Sequence, residues 1–290
     1  MTSALIFGGT RYVGKRLAAA LLERGCEVTV ATRGRAPLPE GARHIPLDRT
    51  DRDSLQAALA GKSWDVVYDQ ICYAPSDAAD ICEALAGRVG SCVLTSSQAV
   101  YGCGIRLPES AFDPVSYPVK PGRRADFDYA EGKRLAEAVL FQQANFPVTA
   151  VRFPVILGPD DYTQRLAVQA RRVRAGEPLP LPHLDAEISL ISSEEAAGLL
   201  AWLAEHPVPG PLNACSDGSL TLRGLVAVLE RAAGHPATVV DRLDDDPFSL
   251  FAVEKSLTLD TARASRAGFT FEPVLGWLQE LANLTNSAGW

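Results

Sequence analysis

Three side chains in this sequence have the types and spacing for acid–base chemistry. Tyr129 and Lys133 are separated by four residues in YAEGK, at the start of a stretch with helical spacing. Residues i and i+4 share a helix face, so phenol and amine sit side by side. Ser97 ends the apolar run Ser91-Cys92-Val93-Leu94-Thr95-Ser96, where a hydroxyl would stand at the mouth of a buried strand. A phenol with a pKa near 10 is a poor base at neutral pH. A nearby ammonium favours the phenolate and makes proton exchange practical.

These residues need a platform, and GGTRYVG at residues 8–14 supplies its first part. An apolar run, Leu5-Ile6-Phe7, ends in paired glycines, and helical apolar spacing follows from Lys15. The pattern predicts a buried strand, a tight turn and a helix whose N-terminus opens on the turn. Such a helix end presents free N–H groups and partial positive charge, which suit a pyrophosphate. Arg11 stands where the usual fingerprint has its middle glycine, and it brings a cation to the site.

The alternation continues down the chain. Strands are predicted at 27–32, 43–47, 65–69, 91–96 and 148–153. Helices are predicted from an Asp53 cap to Leu59, at 76–85, and from Asp126 or Asp128 to Ala144. Short, continuously apolar strands alternating with helices predict an α/β fold of Rossmann type, a doubly wound parallel sheet covered on both faces. Residues 102–124 read as a long, proline-rich loop. Residues 1–155 form the expected dinucleotide-binding domain. Residues 156–290 form a smaller, mainly substrate-binding part, with some segments returning to the first sheet. There, helices are expected at 163–175, from a Ser193 cap to about 205, from a Thr221 cap to Gly234, and at 273–284, with a strand at 211–215.

The glycine loop, SSQAVYG and YAEGK together resemble the extended or atypical short-chain dehydrogenase/reductases, the NAD-dependent epimerase/dehydratase group. The three motifs fall in that group's order and on its elements, over roughly residues 3–157. The resemblance implies that Ser97 holds a substrate carbonyl or hydroxyl. It implies that Tyr129 gives or takes the proton and that Lys133 binds the nicotinamide ribose. It also implies cofactor contacts from Gly8, Thr10, Arg11, Tyr12, Val13, Asp48, Ile71, Lys133 and Phe153. Substrate contacts are expected from Ser97 and Tyr129, and from Asp160, Asp161 and Tyr162 at the entrance to the second part.

Cofactor choice rests on the end of the second strand. NAD binders usually place a carboxylate there. This chain offers Arg33 and Arg35 and no acid, so NADP is expected, with NAD the alternative. Asp69, ending the fourth strand, reads as structural. Dehydratases of the group carry an Asp-Glu pair after the serine position. Gln98-Ala99 stands there instead, so water elimination lacks its acid and base. Reductase is then the expected activity, with a nucleotide-sugar epimerase that retains NAD as the alternative. A non-catalytic dinucleotide sensor or RNA-associated protein is a reading of another class. Arg165, Arg171, Arg172 and Arg174 could clamp a diphosphate or form a solvated face.

Bulk composition bounds the partners. The chain has 290 residues and a net charge of -7, with no basic run free of acids, which argues against nucleic acid. No apolar run reaches the ~18 residues of a membrane span. Six cysteines without a C-x-x-C pair suggest reduced thiols in a cytoplasmic protein, and the scattered histidines lack metal-ligand spacing. The expected partner is a small molecule, with a nucleotide sugar among the candidates, and a homo-oligomer is left open.

Overall fold

A computed structural model of the chain describes residues 1–241 and 253–285. The first half runs β1 (Ser3–Phe7), α1 (Tyr12–Glu23), β2 (Glu27–Thr32), β3 (Arg43–Pro46), α2 (Arg52–Leu59), β4 (Trp64–Asp69), α3 (Pro75–Ala84), β5 (Val89–Ser97), β6 (Gly104–Leu107), α4 (Tyr129–Gln143) and β7 (Val148–Phe153). The second half runs β8 (Val155–Leu157), α5 (Arg165–Ala175), β9 (Leu179–Pro180), β10 (Glu187–Ile188), β11 (Leu190–Ser192), α6 (Ser193–Trp202), β12 (Gly210–Asn213), β13 (Leu220–Thr221), α7 (Leu222–Ala233), β14 (Val239–Val240), β15 (Leu257–Leu259), α8 (Ala262–Arg266) and α9 (Val274–Leu284).

Seven strands form one parallel sheet in the order β12-β7-β5-β4-β1-β2-β3. Side chains alternate across it. Ala4 and Ile6 of β1 join a core with Leu17 and Leu21 of α1 and Leu199 and Leu200 of α6. Leu5 and Phe7 join the opposite core, with Leu55, Ile81 and Leu140 of the other helices. Burial on both faces is why the strands read as unbroken apolar runs. A third core, built around α5, α7 and α9, fills the second part. The edge strand β12 comes from that part and pairs with β7, so the two halves share a sheet.

Several boundaries differ from the sequence reading. Asp51, not Asp53, caps α2 by accepting from the Ser54 N–H, and Ser192, not Ser193, caps α6 by accepting from Glu195 N–H. The side chain that wins is the one three residues before a free N–H. The expected loop at 102–124 contains β6, which pairs in parallel with β15 about 150 residues later in sequence. No local periodicity could reveal so distant a partner. Among the described residues, no helix is long and apolar enough to cross a membrane.

Candidate active site

The glycine turn is built by close contact. Gly8 has φ +89, and a Cβ on Gly14 would lie 2.2 Å from the Gly8 carbonyl oxygen. Helix and strand therefore pack at a distance that only glycine permits. The N-cap Arg11 makes no side-chain cap and no acid lies in the first turn of α1, so that helix end keeps free N–H groups. Arg11 is exposed, whereas Val13 faces the core, so only its backbone is available to a ligand. Tyr12 adopts a left-handed backbone, φ +46, held by its hydroxyl donating to Ile156 O at 2.9 Å. Burial raises the Tyr12 phenol pKa, which makes this hydroxyl a fixed donor.

At the far end of the turn, Arg33 Nη1 lies 3.9 Å from Asp48 Oδ2, with both side chains partly exposed. Asp48 Oδ1 accepts from the N–H and hydroxyl of Thr50, and these bonds hold its carboxyl below the ordinary range. Arg35 is exposed and close enough to Asp48 to act on its charge. Two guanidinium groups and one carboxylate thus rim the exits of β2 and β3.

The exit of β4 carries a buried ion pair. Arg49 Nη1 donates to both oxygens of Asp69 at 2.6 Å, and Asp69 Oδ1 also accepts from Ile71 N–H. Asp69 is thereby occupied in shaping the turn. Its partner Arg49 had no signal in the sequence, since a lone arginine after a strand predicts nothing. Ile71 lies against the glycine turn, 2.9 Å from where a Gly8 Cβ would stand.

Tyr129 opens α4 behind its cap Asp128, which accepts from Glu131 N–H. Lys133 lies one turn on, its Nζ 5.9 Å from the Tyr129 ring centroid, so the two are neighbours. Lys133 is 1% exposed, and its ammonium donates to Cys72 O at 2.8 Å and Thr95 O at 2.7 Å. Tyr129 is 53% exposed and opens to solvent. Ser97 Oγ accepts from Ala99 N–H at 3.2 Å, which leaves its own proton free to donate. Thr95 and Ser97 belong to the same strand end, so the lysine is fastened two residues from the serine.

Among the described residues, the buried Gln70 Nε2, Thr95 Oγ1 and Gln98 Oε1 on this edge have no partner. Register places Asp69 beside both Phe7 and Leu94, so Gly8, Gln70 and Thr95 continue one row across three adjacent strands. Unsatisfied buried donors and acceptors are rare, and each calls for a partner such as water or a bound group. A glycine cradle, an open helix end and this polar row fit a dinucleotide. In sequence Gln98 stood out only as the replacement for a dehydratase acid, and Gln70 and Thr95 carried no signal, because orphaned atoms appear only in three dimensions.

Behind the site lies a polar network that the sequence also hid. Arg152 and Glu137, both fully buried, pair at 2.7 Å, and Glu137 also accepts from the Ser96 hydroxyl. Arg152 donates to Tyr101 Oη at 2.7 Å and to the carbonyls of Glu109 and Phe112. The Tyr101 hydroxyl donates to Asn213 Oδ1, and Asn213 Nδ2 donates to Leu107 O and Asp260 O. The segment after β5 is thus tied to the sheet, to α4 and to β12. Phe153 is buried at the end of β7, beside Ser97 in register.

The second part meets the glycine helix through residues 156–162. Asp160 Oδ1 pairs with Arg16 Nη1 at 2.7 Å, and Arg16 Nε pairs with Glu194 at 2.7 Å. The Asp160 carboxylate is therefore already engaged. Asp161 is buried, with Oδ1 bound to Thr163 and Oδ2 without a partner among the described residues. Tyr162 is exposed, its ring edge-on to Tyr12 at 6.2 Å.

Comparison with known proteins places this geometry. A 2′-dehydrokanamycin reductase from Streptomyces kanamyceticus is 37% identical over 106 residues, 36% of this chain and 30% of that protein. The chloroplast stem-loop binding protein of 41 kDa b from Arabidopsis thaliana is 27% identical over 95% of this chain and 75% of its own length. The structure of Thermus thermophilus UDP-glucose 4-epimerase complexed with NAD superposes with a TM-score of 0.69 at 20% identity, covering 98% of each chain. A family description matches residues 4–215, from β1 through the returning edge strand β12 and just beyond it. Glycine turn, parallel sheet and paired tyrosine and lysine all fall within that span, and the chain belongs to the NAD dependent epimerase/dehydratase family.

Proposed function

We propose that the protein is a carbonyl reductase of a small molecule or sugar nucleotide, using NADP in preference to NAD, with Ser97, Tyr129 and Lys133 as its catalytic residues. The observation that carries this reading is the fastening of Lys133 to Thr95 O, beside Tyr129 on one helix and near Ser97 on one strand end. The nicotinamide ring, when bound, supplies or accepts the hydride. Ser97 donates a hydrogen bond through its free hydroxyl to the substrate oxygen and orients it. Tyr129 delivers the proton that completes the alcohol. The buried Lys133 ammonium favours the phenolate left behind and keeps one N–H for the ribose.

Gly8, Thr10, Arg11 and Tyr12 would hold the pyrophosphate, with Val13 contributing backbone alone. Arg33 and Arg35 would take a 2′-phosphate, Asp48 the adenine side, and Ile71 and Phe153 the nicotinamide half. Residues 156–290 would bind the substrate, with Asp161 and Tyr162 nearest the cleft. The similarity to a 2′-dehydrokanamycin reductase and to a UDP-glucose 4-epimerase supports a sugar-like substrate. The epimerase alternative keeps its NAD bound through turnover. The reading of another class, a non-catalytic dinucleotide sensor or RNA-associated protein, is favoured by the name of the Arabidopsis relative, a stem-loop binding protein. The net charge of -7 opposes it. A soluble, cytoplasmic setting fits the unpaired cysteines.

Mass spectrometry of nucleotide released from the purified protein, followed by an NADPH oxidation screen against ketones and keto-sugar nucleotides, tests the proposal. Tyr129→Phe should abolish turnover and leave cofactor affinity nearly unchanged. Turnover that survives this substitution would remove the assigned acid. Equal KM values for NADPH and NADH would remove the arginine argument.

A further inference from the structure

Tyr73 follows β4 in a connection pinned on both sides. Its N–H donates to Asp77 Oδ2 at 2.8 Å, and that aspartate is 3.9 Å from Arg49 Nε. Its carbonyl is pressed by α4, since a Cβ on Gly132 would lie 2.3 Å from Tyr73 O. The ring is therefore delivered to one place. There it faces two cations: Lys133 Nζ at 4.5 Å and the Arg124 guanidinium at 4.3 Å from its centroid. The Tyr129 ring lies 6.3 Å away, tilted by 46°.

A buried ammonium is costly unless its charge and its three N–H groups are accommodated. Two N–H groups go to Cys72 O and Thr95 O, and the third has no protein acceptor among the described residues. Two carbonyls on neighbouring strand exits do not by themselves fix the tip of a flexible four-carbon stem. A π face beside the ammonium adds an attraction of its own, strongest where water is excluded.

We propose that Tyr73 is a positioning residue: its ring holds the Lys133 ammonium so that the remaining N–H faces the nicotinamide-side ribose of the dinucleotide. This rests on the reading of Lys133 as the ribose contact. It assigns the effect to the aromatic face and not to the phenol hydroxyl.

Calorimetric titration of the full chain with NADH and, separately, with ADP tests it. ADP carries the adenine half and lacks the nicotinamide ribose. Tyr73→Leu should weaken NADH binding about tenfold and leave ADP binding unchanged, whereas Tyr73→Phe should bind both as the wild type does. If the leucine variant does not fold, Tyr73→Met, of similar bulk without an aromatic face, takes its place. Unchanged NADH affinity in the leucine or methionine variant would overturn the proposal. So would equal losses for NADH and ADP, which report a loosened fold, and so would a phenylalanine variant as weak as the leucine one. A wild type that binds ADP but gains nothing from the nicotinamide half would overturn the ribose reading of Lys133. A wild type that binds neither of these, nor NADPH, would overturn the dinucleotide reading as a whole.

Discussion

Gly14 is the position where helix propensity and packing oppose each other most directly. It lies inside α1, where glycine to alanine ordinarily stabilises by about 1 kcal/mol. The new methyl carbon would stand 2.2 Å from Gly8 O, where ordinary contact begins at 3.4 Å. The obstacle is a backbone carbonyl on the glycine turn and cannot rotate away, so helix and turn must separate by roughly 1 Å. Overpacking of this kind costs about 1–3 kcal/mol, and the strain falls on the helix end proposed to receive phosphate. Gly14→Ala should therefore lose up to about 2 kcal/mol net. NADH affinity should fall by about tenfold or more, because charge-assisted hydrogen bonds are sensitive to geometry. Gly198→Ala is the matched control: that glycine lies inside α6 with nothing within 4 Å of the added carbon. It should gain about 0.5–1 kcal/mol and bind NADH unchanged. Urea unfolding and fluorescence titration of both variants decide the matter. If Gly14→Ala is as stable as Gly198→Ala and binds NADH as tightly, the close-packed turn is not what shapes the site.

Further consequences can be checked on the same footing. Arg49→Met would leave Asp69 buried without its cation and should cost about 3–5 kcal/mol in denaturant unfolding. Tyr101→Phe removes the hydroxyl between Arg152 and Asn213. A loss of about 1–3 kcal/mol is expected, with faster amide exchange in residues 104–112. Burial raises the carboxyl of Glu195 above its ordinary 4.5, although Ser216 and the Glu272 N–H both favour its ionised form. A carboxyl raised in the folded state favours the protonated form there. Its contribution should thus decline as pH rises from about 4.5 through the raised value. Glu195→Gln should flatten that part of the stability–pH curve, and an unaltered curve would contradict the assignment.

The sequence alone determined a good deal of this protein. Unbroken apolar runs between helical stretches required a parallel sheet covered on both faces, and paired glycines at the end of the first strand required the turn. The i, i+4 spacing of Tyr129 and Lys133 put phenol and amine on one helix face. These are local facts, set by backbone geometry and side-chain period. What the sequence could not decide was everything that depends on distant neighbours. The pairing of β6 with β15, the burial of Arg49 with Asp69, and the Arg152–Glu137–Tyr101–Asn213 network join residues far apart in the chain. A charged or polar residue carries no mark of its partner in one dimension, because its burial is a property of the packed whole. The same holds for Lys133. Its type and spacing suggested its chemistry, but only the tertiary structure showed two carbonyls binding its ammonium and a tyrosine face beside it.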